Sequence, residues 1–79
     1  MERKIVEIEW ADSYGGGGTW VQRDEALGLE PSHILSVGYL IHRDKTKVII
    51  LQSITDVGDL VMGALVIPKG CVQSIKVIG

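Results

Sequence analysis

The sequence predicts an all-β fold: a small five-stranded barrel of the SH3/Sm type, in one domain spanning residues 1–79. Three observations carry that prediction. Valine and isoleucine dominate the apolar residues and phenylalanine is absent; β-branched side chains lose little rotamer freedom on a pleated surface. Period-two patterns recur in short runs separated by turn residues. No run keeps a 3.6-residue period long enough for a crossover helix, which excludes both a doubly wound α/β fold and a helical bundle.

The first strand is expected over Lys4 to Trp10, where Val6, Ile8 and Trp10 share one face and Glu7 and Glu9 the other. Asp12-Ser13-Tyr14 and the four glycines Gly15 to Gly18 then read as a loop, since glycine lifts the steric limits that hold a strand. Thr19-Trp20-Val21 resumes an extended segment. Arg23 to Glu30 holds one short helix of at most two turns, with Asp24 as its cap and Gly28 and Pro31 closing it.

The second strand is expected over Ile34 to Ile41. Leu35, Val37, Tyr39 and Ile41 lie on one face; Ile34, Ser36, Gly38 and Leu40 lie on the other, which is small and polar in its middle. The polar turn Arg43-Asp44-Lys45-Thr46 makes a hairpin with a third strand, Lys47 to Ile54, whose run Val48-Ile49-Ile50-Leu51 points to burial on both faces. A turn at Asp56-Val57-Gly58-Asp59 leads to the fourth strand, Leu60 to Ile67, with a bend or bulge at Gly63. Pro68 cannot donate to a ladder and stops that strand. Pro68-Lys69-Gly70 forms a tight turn, and Val72 to Ile78 closes the chain as the fifth strand. This strand–turn–strand ending suggests the SH3-like barrel.

Composition narrows function. A domain of this size buries only about 60% of the surface its unfolded chain exposes. The lone Cys71 forms no internal disulfide, and His33 and His42 stand apart without a zinc-site pattern. Self-association is therefore the expected source of added stability, and a 46% apolar content fits it. A net charge of −2 is not the footprint of a duplex-DNA binder. No signal peptide and no apolar stretch of about 20 residues is visible, so a cytoplasmic location without membrane contact is expected. Cys71 is then a reduced thiol. No nucleophile–base pair, metal cluster or cofactor motif stands out, so the expectation is a protein that is not an enzyme and carries no cofactor.

Several segments resemble a family of small phage and prophage proteins. They are Glu9-Trp10-Ala11-Asp12-Ser13, Trp20 after a glycine-rich loop, Ser36-Val37-Gly38-Tyr39-Leu40, Gln52-Ser53, and Ile67-Pro68 ahead of Ser74-Ile75. The resemblance covers nearly the whole chain. It implies an accessory protein of a virus acting in the cytoplasm of a bacterial host, where small oligomeric phage proteins trap nucleotide second messengers of antiviral defence. No site residue follows from it.

The candidate ligand-binding residues come from the chain itself. In the loop, Asp12, Ser13 and Thr19 offer polar groups. Tyr14 and Trp20 bracket glycines whose N–H groups suit phosphate oxygens, and the two rings suit stacking on a base. The bland reading is a tether, with Trp20 plugging the barrel and Asp12 capping a turn. Ser36, Gly38 and Gln52, with Ser53, are polar or small in apolar strands; they form either a small pocket or an internally satisfied network. Arg43, with Lys45 and Lys47, forms either an anion-binding rim or a solvated turn. The expected function is a homo-oligomeric, non-catalytic binder of a cyclic-nucleotide or ADP-ribose-type ligand. Two alternatives stand beside it: a module that inhibits a host protein, and a Sm-like RNA binder, although the Asp/Asn pattern of Sm-like RNA sites is missing.

Overall fold

The computed structural model describes residues 3–15 and 18–79. The alternating run after Arg3 becomes strand β1, Lys4–Asp12, with Val6 and Ile8 completely buried. On one side β1 pairs antiparallel with β2, Ser32–Arg43, in an unbroken register from Lys4 opposite Leu40 to Asp12 opposite Ser32. On its other side it pairs with β7, Val72–Val77, with a register shift between Glu9 and Trp10. β2 pairs in turn with β3, Lys47–Leu51, with a second shift between Leu40 and His42 that leaves Ile41 as the extra residue. β3 pairs with β6, Leu65–Pro68, completing a sheet ordered β6-β3-β2-β1-β7.

That order puts the chain-adjacent strands β6 and β7 at opposite edges. In a flat sheet those edges lie four spacings of ~4.8 Å apart, about 19 Å. The link between them is the 3₁₀ turn Lys69–Cys71, one residue later than the sequence suggests. Even fully extended, the steps from Pro68 to Val72 reach only about 14 Å. The sheet is therefore curled, with its apolar face inside. The backbone N–H of Lys69 donates to the Thr46 carbonyl at 2.9 Å, fixing the turn against the β2–β3 hairpin. The curl stops short of closure: no ladder joins β6 to β7 among the described residues, so the expected closed barrel is an open curled sheet.

The expected third and fourth strands are present but broken. After β3, β4 (Ser53–Ile54) pairs with β5 (Val61–Met62) as a separate two-stranded piece. Its pairing continues the β3–β6 register, so the four short strands are one long hairpin with a kink. The kink lies at Gln52 and Gly63, with Gly63 at φ +70. The Gln52 N–H donates to the carbonyls of Met62 and Gly63, each at 3.2 Å. At the tip, the Thr55 hydroxyl bonds Asp59 and accepts the Leu60 N–H, and Gly58 takes φ +79.

Directly opposed residues share a face of a sheet, so the buried Val6 and Ile8 place Gly38 and Ser36 inside. The core cluster is Val6, Ile8, Val48, Ile50 and Ile67, with Trp10, Leu40, Leu65, Cys71, Val72 and Ile75 packed around it. The more apolar face of β2 looks outward, leaving Leu35, Val37 and Ile41 exposed.

Every described residue from Asp12 to Pro31 is exposed. This arm contains helix α1, Arg23–Leu27, whose N-cap is Gln22. Asp24 is not the cap; it sits within the first turn, where a negative charge suits the helix dipole. The molecule measures 54 × 22 × 21 Å, with a radius of gyration of 16.2 Å. A compact domain of this length has a radius near 12 Å.

Candidate functional site

The sequence-derived candidates fall into three places. Asp12, Ser13, Tyr14, Thr19 and Trp20 lie together on the arm. Asp12 ends β1, and its Oδ1 accepts the Ser13 N–H at 2.9 Å. Tyr14 is more than half exposed and Trp20 is fully exposed, so neither ring plugs the sheet. The glycine-rich loop is described at Gly15 and Gly18; Gly16 and Gly17 lie outside the described residues.

Ser36 and Gly38 lie on the inner face of β2. The Ser36 hydroxyl accepts from Trp10 Nε1 at 3.1 Å, so its polarity serves the packing of the indole. Gly38 is buried, and a Cβ there would stand 2.7 Å from the Leu51 carbonyl oxygen and 3.2 Å from Ile50 Cβ. Its missing side chain lets β3 approach. Gln52, one residue beyond Leu51, is exposed, and its side chain lies over Gly63. Ser36 and Gly38 thus belong to the core side of the sheet, and Gln52 to the kink.

Arg43 is the last residue of β2, whereas Asp12 pairs with the first, Ser32. Arg43 and the arm therefore leave β2 from opposite ends. Asp44 closes the tip beside Arg43: its Oδ1 accepts the Thr46 N–H at 2.7 Å, the Thr46 hydroxyl at 2.8 Å and the Lys47 N–H at 2.9 Å. Its Oδ2 lies 2.6 Å from His42 Nε2. The His42 contact first, and then the Thr46 and Lys47 donors, hold the Asp44 carboxyl well below the usual carboxylate range. With Asp44 engaged, Arg43, Lys45 and Lys47 form a basic tip, which Lys69 joins through its backbone bond to Thr46. That fourth cation is brought by the 3₁₀ turn and has no signal in the local spacing.

One feature escapes sequence reasoning. The β4–β5 hairpin forms an apolar groove of about 410 Å³ lined by Ser53, Ile54, Thr55, Leu60, Val61 and Met62. Leu60, Val61 and Met62 stay largely exposed. The sequence places these three apolar residues in the fourth strand, ahead of the expected bend at Gly63; in the structure they stay exposed beyond that kink. A smaller hollow of about 320 Å³ lies beside Glu9, His33, Ile34 and Leu35. Among the described residues no three His, Cys, Asp or Glu side chains converge on a point, and no helix is long and apolar enough to cross a membrane. The chain matches no protein-family model, no curated protein and no solved structure, so the geometry alone speaks for its function.

Proposed function

We propose that this chain is a non-catalytic binding module that works as a homo-oligomer of small SH3/Sm-type barrels. The carrying observation is surface area. A compact monomer of 8.6 kDa exposes ~4,700 Å². This chain exposes 6,084 Å², roughly 1,400 Å² more than that scaling gives. Stable protein–protein interfaces bury about 800 Å² per partner, so the excess matches nearly two such patches on each copy. Support for the barrel comes from the curled sheet and the 3₁₀ link between its two edges.

The ligand class that fits the exposed chemistry is an anionic nucleotide, of cyclic or ADP-ribose type. Tyr14 and Trp20 supply stacking faces, Asp12, Ser13 and Thr19 supply polar contacts on the arm, and Arg43 heads the basic tip. Assembly brings the arm of one copy to another copy's surface. The resemblance to phage proteins fits a role in trapping a host signal.

Native mass spectrometry of protein purified gently from a bacterial host tests both parts. A closed oligomer with added mass of nucleotide size is the expected result. A bare monomer removes the oligomeric reading. An empty oligomer that gains no thermal stability from cyclic di- and trinucleotides or ADP-ribose removes the nucleotide.

A further inference from the structure

We propose that two copies of this chain pair side by side with their β2 strands antiparallel, the acidic arm of each lying against the basic tip of the other. This rests on the self-associating reading and names its surfaces. Charge is divided between the two ends of the molecule. The arm carries Asp12, Asp24, Glu25 and Glu30 against Arg23, a net of −3. The tip carries Arg43, Lys45, Lys47 and Lys69 against Asp44, a net of +3. One copy cannot neutralise its own ends. The arm meets β2 at Ser32 and the tip meets it at Arg43, eleven strand steps or about 37 Å apart. Exposed charges more than about 10 Å apart are largely screened at ordinary ionic strength. Helix α1 ends at Leu27, five residues before Ser32, so it stays within about 18 Å of Ser32 even on a fully extended tether. The opposite ends therefore meet only between copies, where complementary charge fixes the orientation of docking.

Between the charged ends runs an apolar row. Leu35, Val37 and Ile41 follow one another along the outer face of β2, each about half exposed or more. That face is clear of the kinked hairpin. Gly38 looks inward, and the Leu51 carbonyl lies 2.7 Å from where its Cβ would stand, so β3 leaves the sheet on the inner side. Val37 and Ile41 stand two residues either side of Tyr39. A two-fold at the level of Tyr39 sets Val37 against the partner's Ile41 and turns each arm toward the other copy's tip. Leu27 on α1, 77% exposed, adds an apolar contact at the arm. The contact is isologous, the commonest form of closed assembly. Tyr14 and Trp20 of one copy then come to the end of the partner that carries Arg43, so the two halves of the ligand chemistry meet only in the pair.

Charge reversal tests the contact. Glu25→Lys with Glu30→Lys takes the arm to +1, and Lys45→Glu with Lys47→Glu takes the tip to −1. Glu25, Glu30 and Lys45 are exposed and Lys47 is half-buried, and circular dichroism verifies folding. Sedimentation velocity should give a dimer for the wild type, weakened about tenfold or more between about 50 and 500 mM salt. Either double variant alone should associate about tenfold or more weakly, because like charges then face each other. Mixed in equal amounts, the two should recover the dimer, since each arm again meets a tip of opposite sign. Val37→Gln should weaken the dimer to a similar degree at both salt concentrations. A wild type that is monomeric at all concentrations overturns the self-association reading itself. An assembly that is insensitive to salt and to the reversals, variants that do not recover when mixed, or an assembly larger than a dimer overturns the antiparallel contact alone.

Discussion

Gly38 sets how closely β2 and β3 approach. The Leu51 carbonyl, 2.7 Å from where a Cβ would stand, is backbone and cannot swing away. Gly38→Ala should therefore cost about 1–3 kcal/mol, the usual range for overpacking, measured by urea denaturation. Trp10→Phe keeps an aromatic ring against the core but deletes the donor to Ser36. It should cost about 1 kcal/mol, and Ser36→Ala in that background should add little, because the pair is already broken. Asp44 gives a pH signature. Its carboxyl titrates below the ordinary value of 3.8, chiefly because of the His42 contact. A depressed folded pKa contributes stability that is present above the unfolded value and lost as pH falls through the folded one. The stability gap between wild type and Asp44→Asn should therefore shrink as pH drops below the ordinary carboxylate value, as equilibrium unfolding across acid pH will reveal.

At the scale of elements, the long kinked hairpin is the main departure from expectation. The turn residues at Asp56 to Asp59, the bend at Gly63 and the stop at Pro68 were all legible, because each rests on local backbone chemistry. The direction of the kink was not legible. It depends on Gln52 bonding two successive carbonyls and on its side chain lying where a Cβ at Gly63 would fall, 2.5 Å away. Gly63→Ala adds a strained positive φ to that clash. It should destabilise the fold by about 1–3 kcal/mol and weaken protection of the Gln52 amide in hydrogen exchange. Ile67→Ala, by contrast, empties the centre of the core and should cost about 2–5 kcal/mol in the same denaturation experiment.

For the whole molecule, shape is the informative quantity. Among the described residues, fifteen large hydrophobics are exposed against six that are buried. A chain so arranged gains stability by mass action when copies associate. Its melting temperature should rise with protein concentration, read by calorimetry over a dilution series; a concentration-independent value would count against assembly. The arm contributes most of the mismatch between length and compactness, since nothing from Asp12 to Pro31 is buried. Its residues were marked for function because tyrosine and tryptophan flank glycines. The structure adds that Tyr14 is more than half exposed and Trp20 fully exposed.

By itself the sequence determined the strand-rich class, the order of strands and turns, the short helix, and the inward face of β1. Those follow from periodicity, branching and turn residues, all read within a few neighbours. Which face of β2 is buried was a tertiary decision. Leu35, Val37 and Ile41 make the greasier face, yet the register with β1 puts Ser36 and Gly38 inside, where small groups let the sheet curl. The placement of Arg43 away from the arm, the arrival of Lys69 at the basic tip and the groove on β4–β5 were decided the same way. Each depends on strand pairing between residues distant in the chain, and one residue of slip would have reversed the faces.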